Sequence, residues 1–225
     1  MTRTTRTTRT TTASALTLAA LAALATSPAA APSGPAGGAT PGVVGRGLEV
    51  RPFAGGFLPT GTQRDVLKDA AALGGQLGWR FHENFALTGA FTWAPSKDKT
   101  TALQSSAPGA LYTGREEQLD VFGYDLGVEA RLPITLTPSW VVAPYVGAGG
   151  GARSYHYRDL SGVGTETNPV GYGALGIDLA PSSGPLGVRH EARDNVSGFK
   201  GLRGENAERK ARNDVQLAGG VTLRF

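Results

Sequence analysis

Hydrophobic and polar residues alternate along most of this chain from Leu48 onward. In segment 122–132, the even positions hold Phe, Tyr, Leu, Val, Ala and Leu, whereas the odd positions hold Gly, Asp, Gly, Glu and Arg. Successive side chains of a β-strand point to opposite faces, so a period of two indicates strands. Almost no stretch has apolar residues at the helical spacing of i, i+3, i+4 and i+7. The pattern therefore predicts an all-β fold.

Eight segments show this alternation, and their connections differ in length. The segments are 48–58, 73–81, 85–93, 122–132, 140–153, 174–179, 186–195 and 214–225. Long polar connections follow the first, third, fifth and seventh segments, at about 60–69, 96–117, 158–168 and 200–212. Short connections follow the second, fourth and sixth, at 82–84, 133–139 and 181–185. Long loops at one rim and tight turns at the other are typical of outer-membrane barrels, with the turns in the periplasm.

These segments predict an eight-stranded antiparallel up-and-down transmembrane β-barrel. A tilted strand needs about 9 to 11 residues to cross a bilayer, and with extension at their ends the segments reach that length. Both ends of the barrel domain, residues 48–225, then lie on the periplasmic side. We call the rim with the long loops the outer end and the rim with the short turns the periplasmic end.

The first 25 residues have the pattern of a secretory signal peptide. Residues 1–12 are basic and rich in hydroxyl groups, and residues 13–25 carry no charge. Pro28 and Pro32 interrupt the run before it reaches the roughly 20 residues that a membrane-spanning helix needs. We expect cleavage between residues 25 and 31, then a flexible leader up to residue 47 that is rich in Pro, Gly and Ala.

The charged residues of the strands lie on the face opposite the large apolar residues. On a lipid-facing surface each basic residue would cost up to about 2–4 kcal/mol, so we expect these side chains to point into the lumen. Unpaired buried charge is costly, and a near balance of seven bases and six acids indicates ion pairs in a filled lumen. The expected lumen network comprises Glu49, Arg51, Arg80, Asp125, Glu129, Arg131, Arg153, Asp178, Arg189, Glu191, Arg193, Asp214 and Arg224.

Aromatic residues of the apolar face cluster at the strand ends, which predicts two interfacial girdles. The periplasmic girdle is expected to contain Trp79, Phe81, Phe85, Trp140 and Phe225. The outer girdle is expected to contain Phe91, Trp93, Phe122 and Tyr124. The alternative is that they form the core of a soluble sandwich, but such a core does not explain charges that alternate within nearly every strand.

From about Leu48 to Phe225 the chain resembles small outer-membrane β-barrel proteins of the OmpA/OmpX-like type. Gly220, Leu223 and the terminal Phe225 match the glycine, hydrophobic and aromatic positions of their assembly signal, whereas Ala218 departs from the polar residue often found there. The resemblance implies a monomer in the bacterial outer membrane, surrounded by lipid and lipopolysaccharide. It also implies that the barrel-assembly machinery recognises the C-terminal strand.

Composition removes several classes of function. The chain has 22 basic and 18 acidic residues, but without Arg3, Arg6 and Arg9 of the signal region the ratio is 19 to 18, which removes the main argument for a nucleic-acid partner. There is no Cys, so disulfides and thiolate metal sites are excluded.

Few residues indicate catalysis or cofactor binding. His82, His156 and His190 are too far apart in the expected topology to share a metal. Ser154 and His156 lie on one strand face, as in an outer-membrane lipid A hydrolase, but without the His-x-Ser order of those enzymes. The glycine-rich run 147–151 lacks the Lys-Ser/Thr of a phosphate loop. We expect no catalytic site, no cofactor and no metal.

The last long connection carries a basic cluster that could contact lipopolysaccharide phosphates, although a solvated loop with scattered charge is the simpler explanation. Its residues are Lys200, Arg203, Arg209, Lys210 and Arg212. The sequence thus favours a structural or adhesive barrel with four surface loops. A narrow pore for ions or small solutes is the alternative, and a lipid A-modifying hydrolase is a weaker one.

Overall fold

Nine β-strands and one short 3-10 helix account for the regular structure in the part of the chain that the structure describes. This computed structural model describes residues 46–99, 117–158, 164–198 and 211–225. The predicted signal peptide and nearly all of the leader lie outside these ranges. The 3-10 helix is Gly61–Gln63. Within the described ranges no helix has the length and hydropathy to cross a membrane.

The strands are longer than the segments that predict them. They are β1 (Gly47–Thr60), β2 (Ala70–His82), β3 (Phe85–Asp98), β4 (Glu117–Arg131), β5 (Ile134–Thr137), β6 (Trp140–Tyr157), β7 (Glu166–Pro181), β8 (Leu186–Ser197) and β9 (Arg212–Arg224). The extra residues lie mostly at the outer end, where β3 and β6 continue past the predicted segments.

Eight of these strands close into an antiparallel barrel. Each long strand pairs with its neighbour along the chain, β4 pairs with β6, and β1 pairs with β9 to complete the circle. The short strand β5 pairs only with the beginning of β6. The predicted eight-stranded up-and-down barrel is confirmed.

The register of the strand pairs fixes how the barrel is filled. The paired positions that start at Val50 pass through Leu77, Gly89, Leu126, Gly150, Gly171, Val196 and Asn213 and return to β1 at Thr60. The circuit therefore closes ten residues further along β1, so the strands are tilted and the barrel is narrow. An eight-stranded barrel has an interior just wide enough to be filled by side chains.

Two connections differ from the sequence-based expectation. The prediction of a simple tight turn at 133–139 was wrong, because β5 forms a short hairpin with β6 in which Ile134 pairs with Val142. The β-branched residues of β5 favour that extension. The first long connection is also not a purely external polar loop, because Val66 and Leu67 are buried within it.

Candidate functional site

The two faces of the barrel wall have opposite polarity. Leu126 is 74% exposed and Leu175 is 62% exposed on the outer face, whereas Glu49 is 0% and Glu129 is 4% exposed inside. In water this distribution would leave a large apolar surface hydrated and would bury many charges. An apolar belt around a polar interior is the arrangement that a bilayer stabilises. The candidate site is therefore the lumen.

Glu49 is the centre of the ion network at the periplasmic end. Its carboxylate contacts the guanidinium of Arg51, and its Oε1 lies 3.0 Å from Arg80, 3.2 Å from Arg131 and 3.4 Å from Arg224. Four basic groups thus surround one carboxylate that is fully buried. Without them, a charged carboxylate at this position would be strongly destabilising.

Glu129 is the second centre and connects the network across the lumen. It lies 2.8 Å from Arg131, 2.5 Å from Arg189 and 3.1 Å from Arg51. Arg189 also contacts Asp178 at 3.2 Å. These residues lie on β1, β4, β7 and β8, so the ion pairs connect strands on opposite sides of the barrel.

The same network continues toward the outer end through β8. Glu191 lies 2.8 Å from Arg189 and 2.9 Å from Arg193, and Arg193 lies 3.0 Å from Asp125. A separate pair forms closer to the outer end, where Arg153 contacts Asp214 at 2.5 Å. The structure places all thirteen residues of the expected network inside the barrel and brings eleven of them into one continuous set of ion pairs.

Tyrosine rings pack against this network and fill the space between the ion pairs. The guanidinium of Arg189 lies 3.7 Å from the ring centre of Tyr145, and that of Arg193 lies 4.2 Å from the ring centre of Tyr172. The ring of Tyr172 lies over Gly127, where an added Cβ would come within 2.1 Å of its hydroxyl oxygen. The sequence analysis did not assign Tyr172 to the lumen, although its parity on β7 places it there.

The outer end of the lumen is closed by an apolar cluster, which we call the outer plug. Its members are at most 6% exposed, and they come from the strands and from the first connection: Phe57, Val66, Leu67, Ala72, Ala94, Leu119, Val121, Tyr155 and Tyr157. The alternation of the strands does not predict this plug. The available signal was the apolar character of inward-facing positions such as Leu119 and Val121.

Backbone and side-chain hydrogen bonds hold the first connection over the outer mouth. The amide of Lys68 donates to the carbonyl of Lys97 at 3.0 Å, and the amide of Lys99 donates to the carbonyl of Val66 at 2.7 Å. The hydroxyl of Ser96 donates to the carbonyl of Lys68 at 2.7 Å. The connection is therefore joined to the end of β3 by a single antiparallel bridge between Leu67 and Asp98.

Residues considered for catalysis have other partners. On the outer face, Ser154 Oγ lies 2.8 Å from Thr167 Oγ1, and His156 Nδ1 lies 3.1 Å from Thr165 Oγ1. Asp120, opposite His156 in the register, accepts hydrogen bonds from Arg158 at 2.6 Å. Each group is thus held by a neighbour other than its presumed catalytic partner.

The remaining candidate sites have ordinary structural roles. His82 is the last residue of β2 and accepts a hydrogen bond from the amide of Asn84 in the following turn, while His190 is exposed on the outer face. The described ranges contain no group of three or more His, Cys, Asp or Glu side chains that could hold a metal. Residues 147–151 lie in the middle of β6, so they do not form a phosphate loop.

No family model matches this chain, and no curated protein matches it. Among solved structures, the chain is similar to Neisserial surface protein A, with 16% sequence identity, a TM-score of 0.57, and coverage of 79% of this chain and 97% of that one. The fold is that of a small outer-membrane β-barrel.

Two further solved barrels are similar at lower scores. The N-terminal β-barrel domain of Pseudomonas aeruginosa OprF has 13% identity and a TM-score of 0.43, with 80% of this chain and 98% of that chain covered. Ail, the attachment invasion locus protein of Yersinia pestis, has 10% identity and a TM-score of 0.44, with 80% and 99% covered.

The expected girdle residues of this outer-membrane barrel lie on its outer face. At the periplasmic end Trp79, Phe81, Phe85 and Trp140 are between 39% and 56% exposed, and Phe225 is 70% exposed. Of the residues expected at the outer end, Phe91 and Tyr124 lie near the middle of β3 and β4, because both strands continue past the predicted segments. Phe91 packs there against Phe122 and Tyr124, with ring centres 6.3 and 5.5 Å apart. Trp93 is half-buried there and donates to Asp120 at 2.8 Å.

The residues of the expected assembly signal lie in the strand that closes the outer-membrane barrel. Gly220 faces Phe53 of β1, Leu223 pairs with Val50, and the amide of Phe225 donates to the carbonyl of Leu48 at 2.9 Å. Of the basic cluster, Lys200, Arg203, Arg209 and Lys210 lie outside the described residues. Arg212 begins β9 and donates to the carbonyl of Thr62 at 3.2 Å.

Proposed function

We propose that this chain is a non-enzymatic, closed outer-membrane barrel that has a structural or surface-interaction role. The barrel holds its external connections at the cell surface, and those connections make the contacts with surface partners. The observation that supports this role is the double closure of the lumen, by the ion network toward the periplasm and by the outer plug at the opposite end.

The ion network suits a mechanical role because it crosses the lumen. Its carboxylates and guanidiniums come from six strands, β1, β2, β4, β7, β8 and β9. Tyr145 adds β6 by donating to Glu191 at 2.9 Å. Ion pairs that span the lumen resist deformation of the wall, because separating a buried pair leaves each charge without its partner.

The proposed partners follow from the chemistry of the surface. Lipid hydrocarbon covers the apolar belt, and lipopolysaccharide phosphates meet basic residues at the outer rim. The C-terminal strand, with Gly220, Leu223 and Phe225, engages the barrel-assembly machinery, and the mature protein is a monomer.

The alternative function is a narrow pore for ions or small solutes. A cavity between β1, β2, β8 and β9 favours it, because this cavity is lined partly by the polar side chains of Gln76, Gln216 and Glu191. Arg51, Arg189 and Glu191 of the ion network also line this cavity, so conduction requires both the ion network and the outer plug to open.

Conductance of the refolded protein in planar bilayers distinguishes the two functions. Protein that shows the gel shift of a folded barrel between unboiled and boiled samples is reconstituted, and we expect no stable current steps. Stable current steps whose size changes in Glu129→Gln or Arg131→Gln would contradict the proposal of a closed barrel and would establish the pore.

A separate experiment addresses enzymatic function. Lipid A is extracted from cells that express the wild type, Ser154→Ala or no copy of the gene, and its mass is measured. We expect identical lipid A masses in the three strains. A change in lipid A mass that occurs with the wild type but not with Ser154→Ala would contradict the proposal that the protein is not an enzyme.

A further inference from the structure

The backbone pairing between β1 and β9 is interrupted within the strands. Paired positions run from Glu49 and Val50 to Arg224 and Leu223, then resume at Phe53 and Gly220. The two positions between them, Arg51 with Thr222 and Pro52 with Val221, are not paired. By contrast, β3 and β4 pair without interruption over fourteen consecutive positions. Two rungs are therefore missing at the seam where the barrel closes.

Pro52 explains the interruption. Proline has no backbone N–H, so it cannot donate a ladder hydrogen bond, and in sheets it is normally confined to edges, strand ends and bulges. Pro52 still pairs with Gly75 of β2, so the missing donor affects the side toward β9. In a bilayer no water replaces a lost backbone hydrogen bond, which makes this interruption a weak point in the wall.

Side-chain packing across the same seam is also weak. Directly above the interruption, Ala54 pairs with Gly219 and Gly55 pairs with Ala218. Cross-strand pairs of large side chains stabilise a sheet by about 0.2–1 kcal/mol each relative to alanine pairs, and these pairs lack that contribution. At the β3–β4 seam, Leu87 pairs with Val128 and Phe91 pairs with Tyr124.

A cavity lies behind this part of the wall. It is lined from the lumen by Arg51, Gln76, Arg189 and Gln216 and from the seam by Pro52 and Gly220. The cavity, the missing rungs and the small side chains thus coincide at one height of the barrel. A parting of β1 from β9 here joins the cavity to the hydrocarbon around the barrel.

We infer that the β1–β9 seam is a lateral opening, through which the polar cavity of the lumen reaches the bilayer. The opening suits a single-chain amphiphile. Its polar head meets the amides of Gln76 and Gln216, and its chain stays in lipid beside Pro52 and Gly219. No residue of the outer plug lines the cavity, and the opening leads sideways into the bilayer, so this inference does not depend on whether the barrel conducts ions.

Hydrogen exchange of the folded protein in micelles tests the weakness of the seam. We expect the amides of Ala54, Gly219 and Val221, which point across the β1–β9 seam, to exchange at least about tenfold faster than those of Thr88 and Glu129, which point across the β3–β4 seam. If the amides of the two seams are equally protected from exchange in the wild-type protein, the inference is wrong. This comparison needs no variant, so it does not depend on a variant folding.

A proline substitution tests the cause. Pro52→Val restores a donor and a branched side chain, and we expect it to slow exchange of the Ala54, Gly219 and Val221 amides by about tenfold. Pro144→Val is the matched control, because Pro144 also lies within a strand but its pairing with Ile177 belongs to an uninterrupted ladder. If both variants slow amide exchange at the seam, or if neither does, Pro52 is not the cause of the weak pairing.

A cross-link tests access. A stearic acid with a nitroxide near its polar head is added to the protein. The paramagnetic relaxation that the nitroxide causes at the side-chain amides of Gln76 and Gln216 is then measured by NMR. We expect relaxation in the wild type, its loss in oxidised Ala54→Cys/Gly219→Cys, and its recovery on reduction. The control lock, Leu87→Cys/Val128→Cys, should retain it. Absence of relaxation in the wild type, or persistence in the oxidised seam lock, would overturn the lateral opening.

Discussion

The two ends of the lumen are closed by opposite chemistry. Toward the periplasm, guanidinium and carboxylate groups fill the barrel, with Glu49 and Glu129 each contacting at least three arginines. At the outer end, Phe57, Leu67 and Tyr155 are at most 2% exposed within the apolar outer plug.

The two regions differ in whether their residues come from the strands or from a connection between strands. The ion network uses strand residues alone, so the barrel register brings its members together. The outer plug needs the first connection to fold over the mouth, because Val66 and Leu67 come from outside the strands. We therefore expect the network to be part of the barrel's global stability and the plug to open more locally.

The largest expected effect is at the centre of the ion network. Glu49→Gln leaves four guanidiniums without their shared carboxylate, and removing one partner of a buried ion pair typically costs about 3–5 kcal/mol. We expect a loss of that size in the free energy of unfolding, measured by urea unfolding of the refolded protein in micelles.

The matched control uses an exposed ion pair. Arg64 and Asp69 lie 3.5 Å apart with side chains that are 65% and 49% exposed. Asp69→Asn should change stability by at most about 1 kcal/mol. If Glu49→Gln and Asp69→Asn have the same effect, the network does not stabilise the barrel.

The outer plug should be less sensitive than the network. Leu67 is fully buried, and truncation of a buried leucine costs about 2–5 kcal/mol, with lower values where the surroundings relax. Because the first connection can move, we expect about 2–3 kcal/mol for Leu67→Ala and faster proteolysis within residues 61–69. Asp65→Ala, at an exposed position of the same connection, should change neither quantity.

A smaller loss of stability is expected at Gly127, where the aromatic ring of Tyr172 packs against the glycine. In Gly127→Ala the new Cβ meets the Tyr172 hydroxyl and the Ala148 carbonyl, 2.1 and 2.6 Å away in the present packing. Overpacking of this kind costs about 1–3 kcal/mol. Gly75→Ala is the control, since its Cβ meets nothing within 4 Å. Equal melting temperatures of Gly127→Ala and the wild type would show that the lumen is loosely filled.

The smallest expected effect is that of salt. Buried ion pairs are screened far less than exposed ones. Raising NaCl from 0.1 M to 1 M, roughly a change in Debye length from ~10 to ~3 Å, should alter the free energy of unfolding by less than about 1 kcal/mol. A large loss of stability in high salt would mean that water and ions enter the network.

The fold and the ion network could be predicted because both depend on strand parity. In β4, the alternation of Leu126 and Val128 with Asp125 and Glu129 assigns every side chain to a face before any pairing is known. The partners could not be assigned, because the contact of Glu49 with Arg131 depends on the register and the tilt of the strands.

The outer plug and the β1–β9 seam could not be predicted from alternation. Leu67 lies in a polar connection, and its burial depends on the backbone bonds that join residues 66–68 to the end of β3. Pro52 has a clear local meaning in the sequence, but only the closed register shows that its missing donor affects the pairing with β9. Likewise, Ile134 and Thr135 were included in a turn because a four-residue strand is too short to show periodicity.

The most direct measurement concerns the solvent outside the barrel. Leu126→Cys, at the outward position with 74% exposure, is labelled with a nitroxide in bilayers. Its collision rates with oxygen and with a water-soluble nickel chelate are compared with those of a label at Asp65→Cys. We predict high oxygen and low nickel accessibility at Leu126 and the reverse at Asp65. Nickel accessibility at Leu126 as high as that at Asp65 would contradict a hydrocarbon surrounding.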